Sequence, residues 1–151
     1  PGLPVVLGDN DKIVQLVANL LSNAIKFTRS GSKVIVSAER GEDPALITDH
    51  RFRAYVKVST TDEGIGIAPE NLEKIFEKFQ QVEDHFTRSQ GGTGLGLSIC
   101  KEIVLHHGGK IWAESTVDVG STFSFTIPYE EKLPGVRPAA SDAAPRQKLV
   151  P

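Results

Sequence analysis

The run Ser-Gln-Gly-Gly-Thr-Gly-Leu-Gly-Leu-Ser-Ile, residues 89–99, sets four glycines directly ahead of apolar, helix-compatible sequence. Glycine is costly to order, so a cluster of this kind belongs where the backbone needs positive φ or must come close to something else. A helix that starts behind such a loop with bare N–H groups offers a seat for phosphate. Two familiar versions are excluded. No lysine follows the last glycine, as a GxxxxGK[ST] phosphate loop requires. The dinucleotide-binding fingerprint lacks its third glycine, and Asp62 lies upstream of the run instead of downstream.

The rest of the chain narrows the choice. Its 151 residues allow one domain with a sizeable core. A net charge of −2 and no basic stripe argue against nucleic acid as a partner. A single cysteine excludes a disulfide scaffold and suits a reducing compartment. No apolar run approaches the roughly 20 residues that span a bilayer, so no membrane contact by this domain is expected. No signal peptide opens the chain and it holds no methionine, so it reads as a piece of something longer.

Periodicity orders the elements. Residues 1–11 read as a short strand ending in a turn, with Asp9 or Asn10 placed to cap a helix over 12–28. In that helix Ile13, Leu16, Val17, Leu20, Ala24 and Phe27 recur on one face, and Gly31 stops it. Strands are expected at 33–39 and 52–60, a helix opened by Pro69 over 70–79, a second amphipathic helix over 95–107 closed by Gly108-Gly109, and strands at 110–115 and 121–128. Residues 79–94 form a long polar connection without periodicity. The globular domain is thus assigned to 1–128, and the proline-bearing tail 129–151 is expected to be disordered. Helices and strands in this order predict an α/β (α+β) sandwich, a mixed sheet with its helices on one face. Cys100 and Trp112 are expected in the core.

Three segments carry possible chemistry, each with an ordinary alternative. Asn19, Asn23 and Lys26 fall within roughly a 60° arc of the first helix. They fit a solvated face; the alternative is an amide ligand for Mg²⁺ with a lysine one turn on for phosphate. Asp-Glu-Gly-Ile-Gly-Ile, 62–67, is either a plain strand-to-helix turn or a carboxylate acceptor for an exocyclic amine, beside backbone flat enough for a ring. The 89–97 run is the third.

Taken in order, Asn-Leu-Leu-Ser-Asn-Ala-Ile-Lys-Phe (19–27), Asp-Glu-Gly-Ile-Gly-Ile (62–67), Ile-Phe-Glu-Lys-Phe (75–79), Gly-Gly-Thr-Gly-Leu-Gly-Leu-Ser-Ile (91–99) and Gly-Ser-Thr-Phe (120–123) closely resemble the N, G1, F, G2 and G3 boxes of the sensor histidine kinase catalytic domain. The resemblance covers residues 3–128 and implies the Bergerat ATP-binding fold, with ATP and Mg²⁺ as cofactors. It implies Asn23 as metal ligand, Asn19 as a polar neighbour near the triphosphate, and Lys26 on phosphate. Asp62 would accept from the adenine amine, with Gly64, Gly66 and Ile67 bordering the base and Thr122 near it. Phe76 and Phe79 would anchor a lid over ATP, and Gly92, Thr93, Gly94, Leu95 and Gly96 would line the phosphates. Many members carry a basic residue after the second F-box phenylalanine; here stand Gln80-Gln81, and Arg88 is the substitute candidate, or a solvated loop charge.

The resemblance also implies partners: a dimerisation domain of the same protein carrying the phosphoacceptor histidine, and a response regulator downstream. The domain would be cytoplasmic, in a parent that is membrane-anchored or soluble. None of His50, His85, His106 and His107 stands in a phosphoacceptor context. Three functions compete: phosphotransfer to a histidine elsewhere, an ATPase with a conformational cycle, and a nucleotide-sensing module. Hydrolytic relatives place a glutamate one helical turn before the metal-binding asparagine. That position here is Asn19, and an amide is no general base. Phosphotransfer is therefore the expected activity.

Overall fold

The structure is a computed structural model, and it describes residues 2–78 and 94–130. Helix α1 (Asn10–Phe27) begins at Asp9, whose side chain accepts the Lys12 N–H at 3.1 Å, the capping expected of an aspartate at that place. Leu16, Leu20 and Ala24 on its inner stripe are buried. Gly31, with φ of 85°, turns the chain after the helix. Strands β1 (Val34–Gly41), β2 (Ala54–Asp62), β3 (Ile111–Thr116) and β4 (Gly120–Tyr129) form one sheet in the order β1-β2-β4-β3. Helix α2 (Gly96–His106) is closed by Gly108, φ 76°.

Both helices pack on one face of the sheet. Leu16 and Leu20 of α1 and Cys100, Ile103 and Val104 of α2 meet Phe123, Phe125 and Ile127 of β4, with Ile75 and Phe76 closing one end. Phe76 stands edge-on to Phe123, ring centroids 6.3 Å apart. The other face of the sheet is mostly polar: Lys57, Ser59 and Thr61 run beside Thr126, Ser124 and Thr122. Ser59 and Ser124 bond across it through their hydroxyls at 2.9 Å.

The sandwich with helices on one face is as expected, but five details differ. All pairings among the described strands are antiparallel, so the sheet is not mixed; β2 and β3, which share a direction, are separated by β4. Residues 2–7 form no strand, although Val6 packs onto the core. The helix expected over 70–79 is two short 3₁₀ turns, Pro69–Asn71 and Lys74–Phe76, which bury the adjacent Ile75 and Phe76. Trp112 pairs with Ser124 on the outer face, half-buried and outside the core. The last strand runs to Tyr129, one residue past the expected domain boundary. The tail from 131 onward lies outside the described residues.

Candidate functional site

Strand β2 ends on Asp62, and the loop after it is held from two sides. Toward α1, Ile65 N–H donates to the Phe27 carbonyl at 3.3 Å, and Thr28 bridges Gly64. Toward the β3–β4 turn, Asp118 N–H donates to the Ile65 carbonyl at 2.8 Å, and Ile67 N–H donates to Ser115 Oγ at 2.8 Å. Gly66, φ 71°, lies so close to the Thr116 carbonyl that no side chain fits there. Gly66 thus supplies the positive φ of a turn as well as a close backbone approach, and Gly64 a close approach to the Phe27 carbonyl.

Asp62 is 5% exposed on the helix-facing side of the sheet. Burial pushes its carboxyl above the ordinary value, while the backbone N–H groups of Gly64 and Ser121 pull the other way. The Gly64 bond, to Oδ1, is 2.9 Å. A carboxylate has about four lone-pair sites. One is taken by the Gly64 N–H, and the remainder are suited to further donors such as an exocyclic amine. Across the bridge from Gly64, Thr28 Oγ1 is the buried side-chain polar atom that lacks a hydrogen-bond partner among the described residues. An orphaned hydroxyl on the segment that bridges the Asp62 loop fits a site completed by a polar ligand.

Asn19, Asn23 and Lys26 share one flank of α1 and are all half-buried. Asn19 Nδ2 lies 3.5 Å from the Gly96 carbonyl, which joins this flank to the first residue of α2. Lys26 Nζ sits 5.1 Å from the Phe27 ring centroid. The start of α2 is uncapped: Leu95 supplies no side-chain bond, and Ser98 Oγ donates backward to the Leu95 carbonyl at 2.9 Å. Among the described residues, no side-chain acceptor caps the first-turn N–H groups of α2, which suit an anion. Gly94, φ 68°, adopts the backbone that favours glycine, whereas a Cβ on Gly96 would meet nothing within 4 Å.

The residues fit Mg²⁺ only as a metal that arrives with its own ligands. Among the described residues no three of His, Cys, Asp and Glu gather into a cation cage. An amide oxygen from Asn23 plus phosphate oxygens and waters matches how Mg²⁺ is usually held.

The structure thus brings Asn19 to Gly96, and Asp62 to Gly64, through direct bonds. It does not bring Thr122 to Asp62. Thr122 pairs with Thr61 on the outer face, hydroxyls 3.0 Å apart. The residue opposite Asp62 is Ser121, 7% exposed, which the sequence reading passed over. Alternation along the strand could have found it: Phe123 and Phe125 mark the buried face, and Ser121 shares their parity. Phe79, Arg88, Gly92 and Thr93, with Gln80 and Gln81, lie outside the described residues.

Fold and site define an ATP-binding sandwich domain of the histidine kinase catalytic type. The chain belongs to the family of histidine kinase-, DNA gyrase B- and HSP90-like ATPases, whose model matches residues 8–131. It is 44% identical over 124 residues to the sensor histidine kinase WalK of Bacillus subtilis, covering 82% of this chain and 19% of the relative. It is 44% identical over 128 residues to the non-motile and phage-resistance protein of Caulobacter vibrioides, covering 85% of this chain and 14% of that protein. Among solved structures, the catalytic domain of histidine kinase ThkA superposes with a TM-score of 0.62 at 37% identity, over 82% of this chain and 71% of that one. Full-length ShkA in complex with AMPPNP superposes at 0.65 and 29% identity, over 84% of this chain and 23% of that one. The chain spans about a fifth or less of the length of these curated relatives. No described helix is long and apolar enough to cross a membrane.

Proposed function

We propose that this chain binds Mg-ATP and presents the γ-phosphate to a histidine on a separate dimerisation and phosphoacceptor domain of its parent protein, from which a response regulator takes it onward. The observation that carries this over hydrolysis is Asn19: one turn before Asn23 stands an amide, directed to the Gly96 carbonyl, where a water-activating carboxylate would be needed. A bound Mg²⁺ would neutralise phosphate charge. Asn23 would hold it, and Asp62 would hold the base.

Catalysis by this domain is then positioning and charge stabilisation. Lys26 brings positive charge to the last turn of α1, and the start of α2 is tied to the same helix through Asn19 and the Gly96 carbonyl. Arg88 is assigned to the terminal phosphate, and Arg88→Ala should weaken ATP binding more than ADP binding. AMPPNP, named with the ShkA structure, is an ATP analogue and supports the choice of nucleotide. The test is incubation with γ-labelled ATP. The chain alone should neither label itself nor release phosphate appreciably. With a fragment carrying the parent's dimerisation helices and acceptor histidine, acid-labile label should appear on that fragment alone, slowly, because two diffusing pieces lack the effective concentration of a linked pair. Label on the lone chain, or fast phosphate release without the acceptor, would overturn the proposal.

A further inference from the structure

Three polar side chains form a row across the helix-facing side of the sheet. Asp62 of β2 is opposite Ser121 of β4, and Ser121 is opposite Ser115 of β3. Ser115 Oγ stands 2.8 Å from the Gly120 carbonyl and 2.9 Å from Ser121 Oγ, and it receives the Ile67 N–H at 2.8 Å. A serine hydroxyl has one proton and two lone pairs. A carbonyl oxygen only accepts, so the Ser115 proton goes to Gly120. The Ile67 N–H fills one lone pair. The other can meet Ser121 only if Ser121 donates. The Ser121 proton is thereby committed to Ser115, and the rest of that hydroxyl presents lone pairs.

We propose that Ser115 is a positioning residue for base selectivity. By holding the Ser121 proton it makes Asp62 and Ser121 an acceptor-only edge, which takes a purine bearing an exocyclic amine there and repels one bearing a carbonyl oxygen. This rests on Asp62 being the base contact. Without Ser115 Oγ, the Ser121 hydroxyl is free to turn its proton toward a carbonyl, and discrimination drops.

The experiment is calorimetric binding of ATP and GTP, each with Mg²⁺, to the wild-type chain and to folded variants checked by thermal melting. Wild type should prefer ATP. Ser115→Ala should cut the ATP-to-GTP affinity ratio about tenfold, the scale of one mismatched buried hydrogen bond. Ser115→Thr, which keeps the hydroxyl, should restore it. Ser121→Ala should also lower the ratio, and adding Ser115→Ala to it should change the ratio little further. A purely structural role for Ser115 would weaken both nucleotides by the same factor, and an unchanged ratio in Ser115→Ala overturns the inference. Should Ser115→Ala not fold, an unchanged ratio in Ser121→Ala overturns it equally. A wild type that binds neither nucleotide, or both alike, instead removes the reading of Asp62 on which the inference stands.

Discussion

Gly64 and Phe27 meet backbone to backbone: a Cβ on Gly64 would run into the Phe27 carbonyl and stand 2.7 Å from Asp62 Oδ1. The loop that carries Asp62 is thus pressed against the end of the helix that carries Asn23, through a contact only glycine permits. Gly64→Ala must displace backbone on both sides and should cost about 3 kcal/mol in urea unfolding. Gly96→Ala provides the contrast, because a Cβ there meets nothing. It should leave stability unchanged or raised by about 0.5 kcal/mol, the usual gain from a stiffer unfolded chain. Weaker ATP binding in a Gly96→Ala chain of full stability would mark close approach of phosphate to that backbone. Unchanged affinity would place the phosphates elsewhere.

Burial raises the Asp62 carboxyl above its ordinary value of 3.8. The native state then holds this proton more tightly than the unfolded chain does. Stability contributed through Asp62 therefore falls as pH rises from the ordinary carboxylate value through the raised native one. Asp62→Asn cannot ionise and escapes that loss. Relative to wild type it should gain stability across this window as pH rises, by denaturant titration at several pH values. A constant difference would show that the native carboxyl is not shifted. Asp62→Ala should weaken ATP by about 2 kcal/mol, the cost of losing a charge-assisted bond.

Period and capping chemistry made the helices legible. Leu16, Leu20 and Ala24 repeat at four-residue spacing and are buried, and Asp9 caps where a short acceptor before an apolar stripe should. Residues 70–79 show the limit of the same method. Their apolar spacing suits a helix, but so short a helix has little stability of its own. Burying the neighbours Ile75 and Phe76 together against the core decided for two tight turns. One residue of the site, Ser121, was hidden for a related reason. A motif names residue types in order, while a strand chooses which of two neighbours faces inward, and pairing with Asp62 chose Ser121 over Thr122.

Cys100 is fully buried, its thiol pushed up to about 11 chiefly by burial. Its Sγ lies 3.9 Å from the Leu16 carbonyl, between α1 and α2. In the native chain at pH 8 it should resist a chromophoric disulfide reagent, because little thiolate forms and no path reaches it. Labelling should become stoichiometric in denaturant. The native labelling rate then reports opening of α1 from α2, and saturating Mg-ATP should slow it, since a ligand bound between these helices stabilises the closed state. A rate indifferent to nucleotide would argue against a site that both helices build.

Asn19 and Asn23 stand one turn apart on α1, yet their proposed roles predict different failures. Asn19 joins α1 to the first residue of α2 through Gly96, so Asn19→Ala should lower stability by about 1 kcal/mol. It should weaken nucleotide binding by a similar factor with and without Mg²⁺, because what it loses is the relation between helices. Asn23 is assigned to the metal, so Asn23→Ala should leave metal-free nucleotide affinity near wild type and remove most of the gain that Mg²⁺ provides. Titrations of ATP in Mg²⁺ and in a chelator, on both variants, separate these outcomes. If Asn23→Ala keeps the full Mg²⁺ enhancement, the metal is held by other groups. If Asn19→Ala alone abolishes that enhancement, the two amides exchange roles, and the ligand lies nearer the start of α2 than the motif order implies.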